Sequence, residues 1–166
     1  MVKRLFLYSL AGAVVVFLGM QFSRPEQNLS NDQTQHLSTL YPLPDSVQAI
    51  LTVACYDCHS NLTRYPWYAS FQPVAGMMDQ HIRHGKKDLN FSEFVTYRPR
   101  KQYRRMEQIA EMVKENEMPI PSYLSMHKDA ILTDGQKEVL YRWVEATRDS
   151  MRKVFPEDSL KMRKRP

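Results

Sequence analysis

The feature that most restricts the fold of this chain is the segment ACYDCHSN, residues 54–61, which contains its only two cysteines. Cys55 and Cys58 are three positions apart, and His59 follows the second cysteine directly. Three chemistries use this spacing: a redox-active dithiol, a zinc corner and the covalent attachment of haem. A disulfide scaffold is excluded, because two cysteines this close together cannot staple distant loops. The choice among the three depends on the secondary structure around the motif.

Apolar residues recur at helical spacing through the folded part of the sequence. The periodicity predicts four helices, over residues 45–59, 73–87, 99–116 and 133–148. The last of these begins with a capping box formed by Thr133 and Gln136. No stretch of useful length alternates apolar and polar residues, as a half-buried strand would. The predicted fold class is therefore all-α.

An all-α fold decides between the three chemistries of the motif. A thioredoxin-like dithiol follows a strand in a βαβ unit, and no strand is predicted here. Zinc would need further ligands such as His81 or His84, and the adjacent Cys58 and His59 cannot easily both reach one tetrahedral ion. Haem attachment uses every residue, because Cys55 and Cys58 lie one helical turn apart for two thioethers and His59 follows as the proximal iron ligand. The motif predicts one covalently attached haem, a haem c.

The N-terminus predicts a membrane anchor. Residues 5–22 contain no charged side chain, and a helix of that length, at about 1.5 Å per residue, nearly spans a hydrocarbon core of about 30 Å. An uncleaved anchor is favoured over a cleaved signal, since the apolar run ends in bulky residues instead of a small-residue cleavage site. Lys3 and Arg4 should remain in the cytoplasm. This predicts a single-pass protein of the inner membrane with its haem domain in the periplasm, the side on which c-type haem is attached.

Composition divides the chain into four parts. Residues 1–24 form the anchor, and residues 25–42, rich in Asn, Gln, Ser and Pro, are predicted to be a polar tether. Residues 43–151 form the haem domain, and residues 152–166 are predicted to be a loosely held basic tail. The net charge of +5 does not establish nucleic-acid binding. Nucleic acid is not expected as a partner outside the inner membrane.

Several segments resemble the bacterial haem-binding-domain family. They are CYDCHSNLTRYPWY at residues 55–68, LNFSEF at residues 89–94, the MP…SY…H..A.L pattern of residues 118–132, and YRW at residues 141–143. The CxxCH part is shared by all c-type cytochromes, whereas the SNxTRYPWY part is more specific. The resemblance covers most of the chain, from about Gln21 to Val144.

The resemblance implies a single-haem cytochrome behind an N-terminal membrane anchor. It implies a cytochrome c fold, in which the helix ending at His59 crosses the last helix, with Tyr141 and Trp143 as natural packing residues at the crossing. It also implies one-electron transfer to an unidentified redox partner, so a carrier is expected instead of an enzyme. The alternatives are a haem-based sensor or peroxidase-like enzyme with a displaceable sixth ligand, and a subunit of a larger membrane complex.

The sixth iron ligand is expected from the segment before the last helix, which offers Met118, Met126 and His127. Met118 is favoured, because Pro119 and Pro121 fix φ near about −65° and would present its thioether from a stiff segment. The MPIP sequence is also similar to the ligand loop of bacterial cytochromes c. His127 would instead give bis-histidine ligation and a lower potential.

Two further groups of residues have open roles. Arg64, Tyr65 and Trp67 follow the haem motif and are hydrogen-bond donors, so they could contact the haem propionates or simply pack the loop. The basic cluster at residues 98–105 could attract an acidic redox partner or anionic lipid, although a solvated helix face is favoured. His81 and His84 are expected to be solvated or packed, not to form a second metal site.

Overall fold

The structure, a computed structural model, describes residues 1–160. Its α-helices are α1 (Val2–Met20), α2 (Asp45–Ala54), α3 (Tyr56–His59), α4 (Val74–Asp88), α5 (Pro99–Lys114), α6 (Pro121–Met126), α7 (Asp134–Val154) and α8 (Glu157–Leu160). Short 3₁₀ helices span Leu37–Thr39, Trp67–Ser70, Phe91–Thr96 and Lys128–Ala130. Residues 1–160 contain no β-strand, which confirms the all-α class.

The last long helix, α7, begins where the sequence places its capping residues. Thr133 and Gln136 form the expected capping box, with the Thr133 amide 2.8 Å from Gln136 Oε1 and the Gln136 amide 3.3 Å from Thr133 Oγ1. The helix predicted over residues 45–59 is instead divided into α2 and α3 at Cys55, whose φ and ψ of −129° and −45° are not helical. The haem motif therefore lies on a short helical turn that is separate from α2.

The core lies where α5 and α7 pack together and α2 packs across α7. Its largest fully buried side chains include Phe91, Phe94, Leu51, Met106, Leu140 and Met151. Trp143 lies at the α2–α7 contact region, is 6% exposed, and donates its indole N–H to the Pro42 carbonyl at 3.0 Å. Tyr141 is only partly buried. Helix α3 packs against α2 and α4, and the cavity described below separates α3 and α4 from α5.

The segment of residues 25–42 differs from the free tether that its polar composition predicts. Leu37 is fully buried and Tyr41 is 8% exposed, both within the main core. The Tyr41 hydroxyl donates to Gln102 Oε1 at 2.7 Å, and the Asn31 amide donates to the Asn61 carbonyl at 3.0 Å. The segment is therefore a packed arm, because two apolar side chains and a few hydrogen bonds are enough to hold it against the domain.

The C-terminal boundary also differs from the prediction that the folded part ends at residue 151. Helix α7 continues to Val154, and α8 follows with Leu160 only 4% exposed in the core. Phe155 packs against the same core. The folded part therefore extends at least to Leu160, while the remainder of the predicted basic tail, residues 161–166, lies outside the described residues.

Helix α1 has the length and composition of a membrane span. It is 19 residues long, and none of its side chains is buried within the protein. An apolar helix this close to the N-terminus is also typical of a signal sequence. Its exposed apolar surface excludes the role of a core helix for α1.

Candidate cofactor site

A cavity of about 580 Å³ opens between α3, α4, α5 and the segment that leads into α6. This volume falls within the range of about 300–1,000 Å³ typical of small-molecule and cofactor sites. Cys55, Cys58 and His59 line it together with Met118. Much of the remaining lining is apolar and comes from Ala54, Leu89, Phe91, Ile109, Val113 and Ile120. The structure thus brings the whole motif and its favoured sixth-ligand candidate to one cavity.

His59 is held with one ring nitrogen engaged. Its Nδ1 lies 3.0 Å from the Gly85 carbonyl oxygen and 2.9 Å from the Leu89 carbonyl oxygen. Both partners are acceptors, so Nδ1 carries the proton and Nε2 keeps a lone pair. Burial lowers the pKa of His59, which favours the neutral ring. A neutral imidazole oriented by a backbone hydrogen bond through its other nitrogen is what a metal requires of a histidine ligand.

Gly85 allows α4 to pack directly against the motif. A Cβ atom at this position would lie 2.6 Å from the Cys58 carbonyl oxygen, closer than nonbonded atoms approach. The absence of a side chain therefore sets the distance between α4 and α3. That distance places the Gly85 carbonyl within hydrogen-bonding range of His59.

We expect Gly85→Ala to lower the free energy of unfolding by about 1–3 kcal/mol, the usual range for overpacking. The clash with the Cys58 backbone outweighs the gain of about 0.5–1 kcal/mol that alanine brings to a helix interior. Urea denaturation followed by circular dichroism measures the effect. Gly135→Ala is the matched control, since its new Cβ has only Thr133 Oγ1 nearby, at 4.0 Å. A Gly85→Ala protein as stable as the wild type would mean that α4 can move away freely.

The environment of the two cysteines disfavours thiolate chemistry. Burial raises the pKa of Cys55 to about 12 and that of Cys58 to about 11. Zinc binding and disulfide exchange both require the thiolate. A thioether carries no charge and meets no such penalty. In addition, residues 1–160 contain no group of three or more His, Cys, Asp or Glu side chains that could hold a metal ion.

The three predicted candidates for the sixth ligand are placed differently. Met118 is 37% exposed and lines the cavity. Met126 is 60% exposed and is not part of the lining. His127 stacks on Tyr123 with ring centroids 4.0 Å apart, and its Nδ1 lies 3.1 Å from the Tyr123 carbonyl oxygen. Of the three, only Met118 lines the same cavity as His59.

Arg64, Tyr65 and Trp67, the predicted propionate contacts, are not part of the cavity lining. Arg64 pairs with Asp57, and the Tyr65 hydroxyl accepts a hydrogen bond from the Asn28 amide at 2.8 Å. Trp67 is 78% exposed. Arg64 and Tyr65 thus have partners within the loop region, as the loop-packing alternative expects, and the propionate contacts stay a prediction.

Other polar side chains border the cavity instead. Arg105, which the sequence places in the basic cluster, lines it beside Gln108, and its Nη1 donates to Gln108 Oε1 at 2.7 Å. His81 and His84 also line it, from one face of α4. Their spacing on α4 is visible in the sequence, but the cavity they share with Arg105 depends on how the fold places α4 and α5.

Asp57, the central residue of the motif, has a role that the sequence did not predict. Its side chain is nearly buried, and its carboxylate accepts hydrogen bonds from Arg64 Nε at 3.1 Å and from the Tyr123 hydroxyl at 2.7 Å. Burial, followed by this hydrogen bond, raises the pKa of Tyr123, so the phenol remains a donor. Since Tyr123 lies five residues after Met118, this network ties the motif to the segment that carries Met118. The signal in the sequence was a single acidic side chain between the two cysteines.

These features define a class of protein. An all-helical domain whose cavity is lined by a CxxCH motif with a neutral, oriented histidine, and by a methionine, is a haem protein. The sequence model of the haem-binding domain family matches residues 15–146, most of the chain, and the chain belongs to this family. Comparison with curated proteins and with solved structures gives no match.

Proposed function

We propose that this protein is a single-haem c-type cytochrome that transfers one electron at a time at the periplasmic face of the inner membrane. The observation that carries the proposal is the cavity, which Cys55, Cys58, His59 and Met118 all line. The two cysteines would hold one haem through thioethers, and His59 and Met118 would be its axial ligands. Bound there, the haem supplies a reversible one-electron couple.

A carrier is favoured over a catalyst because of the ligands available. If His59 and Met118 both held the iron of a bound haem, no open position would remain for a substrate, and the haem would supply electron transfer alone. The chain's own contribution is then to orient His59 through Gly85 and Leu89, to exclude water with apolar side chains, and to supply the thioether of Met118. Ligand identity and haem burial set the potential.

The second candidate is a haem-based sensor or a peroxidase-like enzyme. It is favoured by the exposure of Met118, which is 37% accessible and follows the end of α5 without being part of a helix itself. A thioether on such a segment is easier to displace than one on a packed helix. Absorption spectra of the reduced protein with and without carbon monoxide separate the two functions. A carrier should bind no carbon monoxide, whereas a sensor should form an adduct rapidly.

The membrane topology is part of the same proposal. Residues 1–24 would anchor the chain, and residues 43–160 with the packed arm would form the periplasmic domain. Alkaline phosphatase fused to the C-terminus should therefore be fully active, because the enzyme folds only outside the cytoplasm, while the same fusion lacking residues 2–22 should be essentially inactive. The measurement is phosphatase activity in whole cells. A mature chain that begins near Gln21 would show a cleaved signal, and an inactive full-length fusion would contradict the orientation.

A further inference from the structure

A cluster of exposed aromatic side chains lies on the turn that follows the haem motif. Trp67 and Phe71 are 78% and 49% exposed. The Trp67 ring centroid lies 5.8 Å from that of Tyr68 and 6.2 Å from that of Phe71. These three side chains are called the aromatic patch. They do not border the cofactor cavity, so the haem site does not account for them.

The aromatic patch lies beside the end of α1. Gln72, the residue that follows it, donates its amide N–H to Gln21 Oε1 at 3.0 Å and its side-chain N–H to the Ser23 carbonyl at 2.6 Å. The chain leaves α1 at this point, and Phe22 between the two partners is 93% exposed. The patch is therefore close to the level at which a membrane-spanning α1 would leave the bilayer.

The turn that carries the aromatic patch is fixed by one buried side chain and by hydrogen bonds. Ala69 is 6% exposed, and its amide N–H donates to the Pro66 carbonyl at 3.0 Å. The buried Ala69 and the hydrogen-bonded Gln72 leave Trp67 and Phe71 directed outward. The exposure is thus a property of a fixed surface, and not of a loose loop.

We propose that the aromatic patch enters the headgroup region of the membrane and fixes the orientation of the haem domain on the bilayer. Tryptophan and tyrosine favour this region, because each combines an apolar ring with a hydrogen-bond donor. The occupant is lipid and not a partner protein because the patch is continuous with the exit of the apolar helix. The inference rests on the proposed anchor and is independent of the redox role.

Tryptophan fluorescence of the full chain in lipid nanodiscs tests this contact. The chain contains two tryptophans, Trp67 on the patch and Trp143, which is 6% exposed. Nanodiscs of ordinary phospholipid are compared with nanodiscs whose acyl chains are brominated close to the headgroup, since bromine quenches indole on contact. Quenching of each tryptophan by haem is the same in both lipids. The ratio of the emission in brominated nanodiscs to that in ordinary nanodiscs therefore reports lipid contact alone.

The emission of Trp67 is the difference in emission between the wild type and Trp67→Phe. We expect this difference to fall by at least half in the brominated nanodiscs. Trp67→Phe, which retains Trp143, should show the same intensity in both lipids. A chain that co-elutes with nanodiscs but shows no quenching overturns the membrane contact and leaves the anchor intact. A chain that does not co-elute overturns both, while its haem spectrum still tests the redox role.

Discussion

Replacing both Cys55 and Cys58 with serine is expected to abolish covalent haem completely. Wild-type protein should keep its haem on a denaturing gel, because two thioethers survive unfolding, and its pyridine haemochrome should be of the two-thioether type. The double variant should show no haem-staining band. It should also be markedly less stable, because a cavity of about 580 Å³ would lose the cofactor that fills it and stabilises only the folded state.

Single substitutions refine the test of attachment. Cys55→Ser or Cys58→Ser alone should retain one thioether and shift the haemochrome band to the one-thioether position. Met126→Ala is a suitable control, since its side chain is 60% exposed and lies outside the cavity. Extraction of haem from the wild type by acidic solvent would contradict covalent attachment.

Met118→Ala is expected to have the second-largest effect. Loss of the thioether should remove the red charge-transfer band of ferric methionine-ligated haem, because that band arises from the sulfur–iron bond. The potential should fall by about 0.1–0.3 V, a part of the roughly 0.8 V range that axial ligands cover. The reduced variant should also begin to bind carbon monoxide, since one axial position becomes free.

Two neighbouring substitutions are matched controls for Met118→Ala. Met126→Ala and His127→Ala lie in the same segment and lie outside the cavity lining, so both should keep the band and the potential of the wild type. An unchanged spectrum in Met118→Ala would exclude this residue as the ligand. Loss of the band in Met126→Ala would assign the role to Met126 instead.

The helices were predictable because their signals are local. Each amphipathic repeat, the Pro99 start of α5 and the capping box at Thr133 act over a few residues, and the structure contains all of them. The haem-binding class was predictable for the same reason, since CxxCH places two cysteines and a histidine within five consecutive residues. The position of Met118 at the cavity followed from a stiff proline-bounded segment close to the last helix.

The remaining features depend on contacts between distant parts of the chain. Leu37 and Tyr41 are two of a few apolar residues in a polar segment, and only the domain surface against which they pack makes them core residues. Leu160 likewise follows a charged stretch. The pairing of Asp57 with Tyr123 spans 66 positions, so no local pattern indicates it. The roles of these residues are therefore set by tertiary structure.

The packed arm has a consequence for how this domain would meet other proteins. If residues 25–42 were extended and free, at about 3.3 Å per residue, the domain could swing through roughly 60 Å above its anchor. The buried Leu37 and Tyr41 and the hydrogen bond of Asn31 hold the segment against the domain, so this range of movement is lost. With α1 in a bilayer, the domain would travel with its anchor in the plane of the membrane. Its encounters then become a two-dimensional search, in which lateral diffusion and the height of a partner's docking site govern the rate.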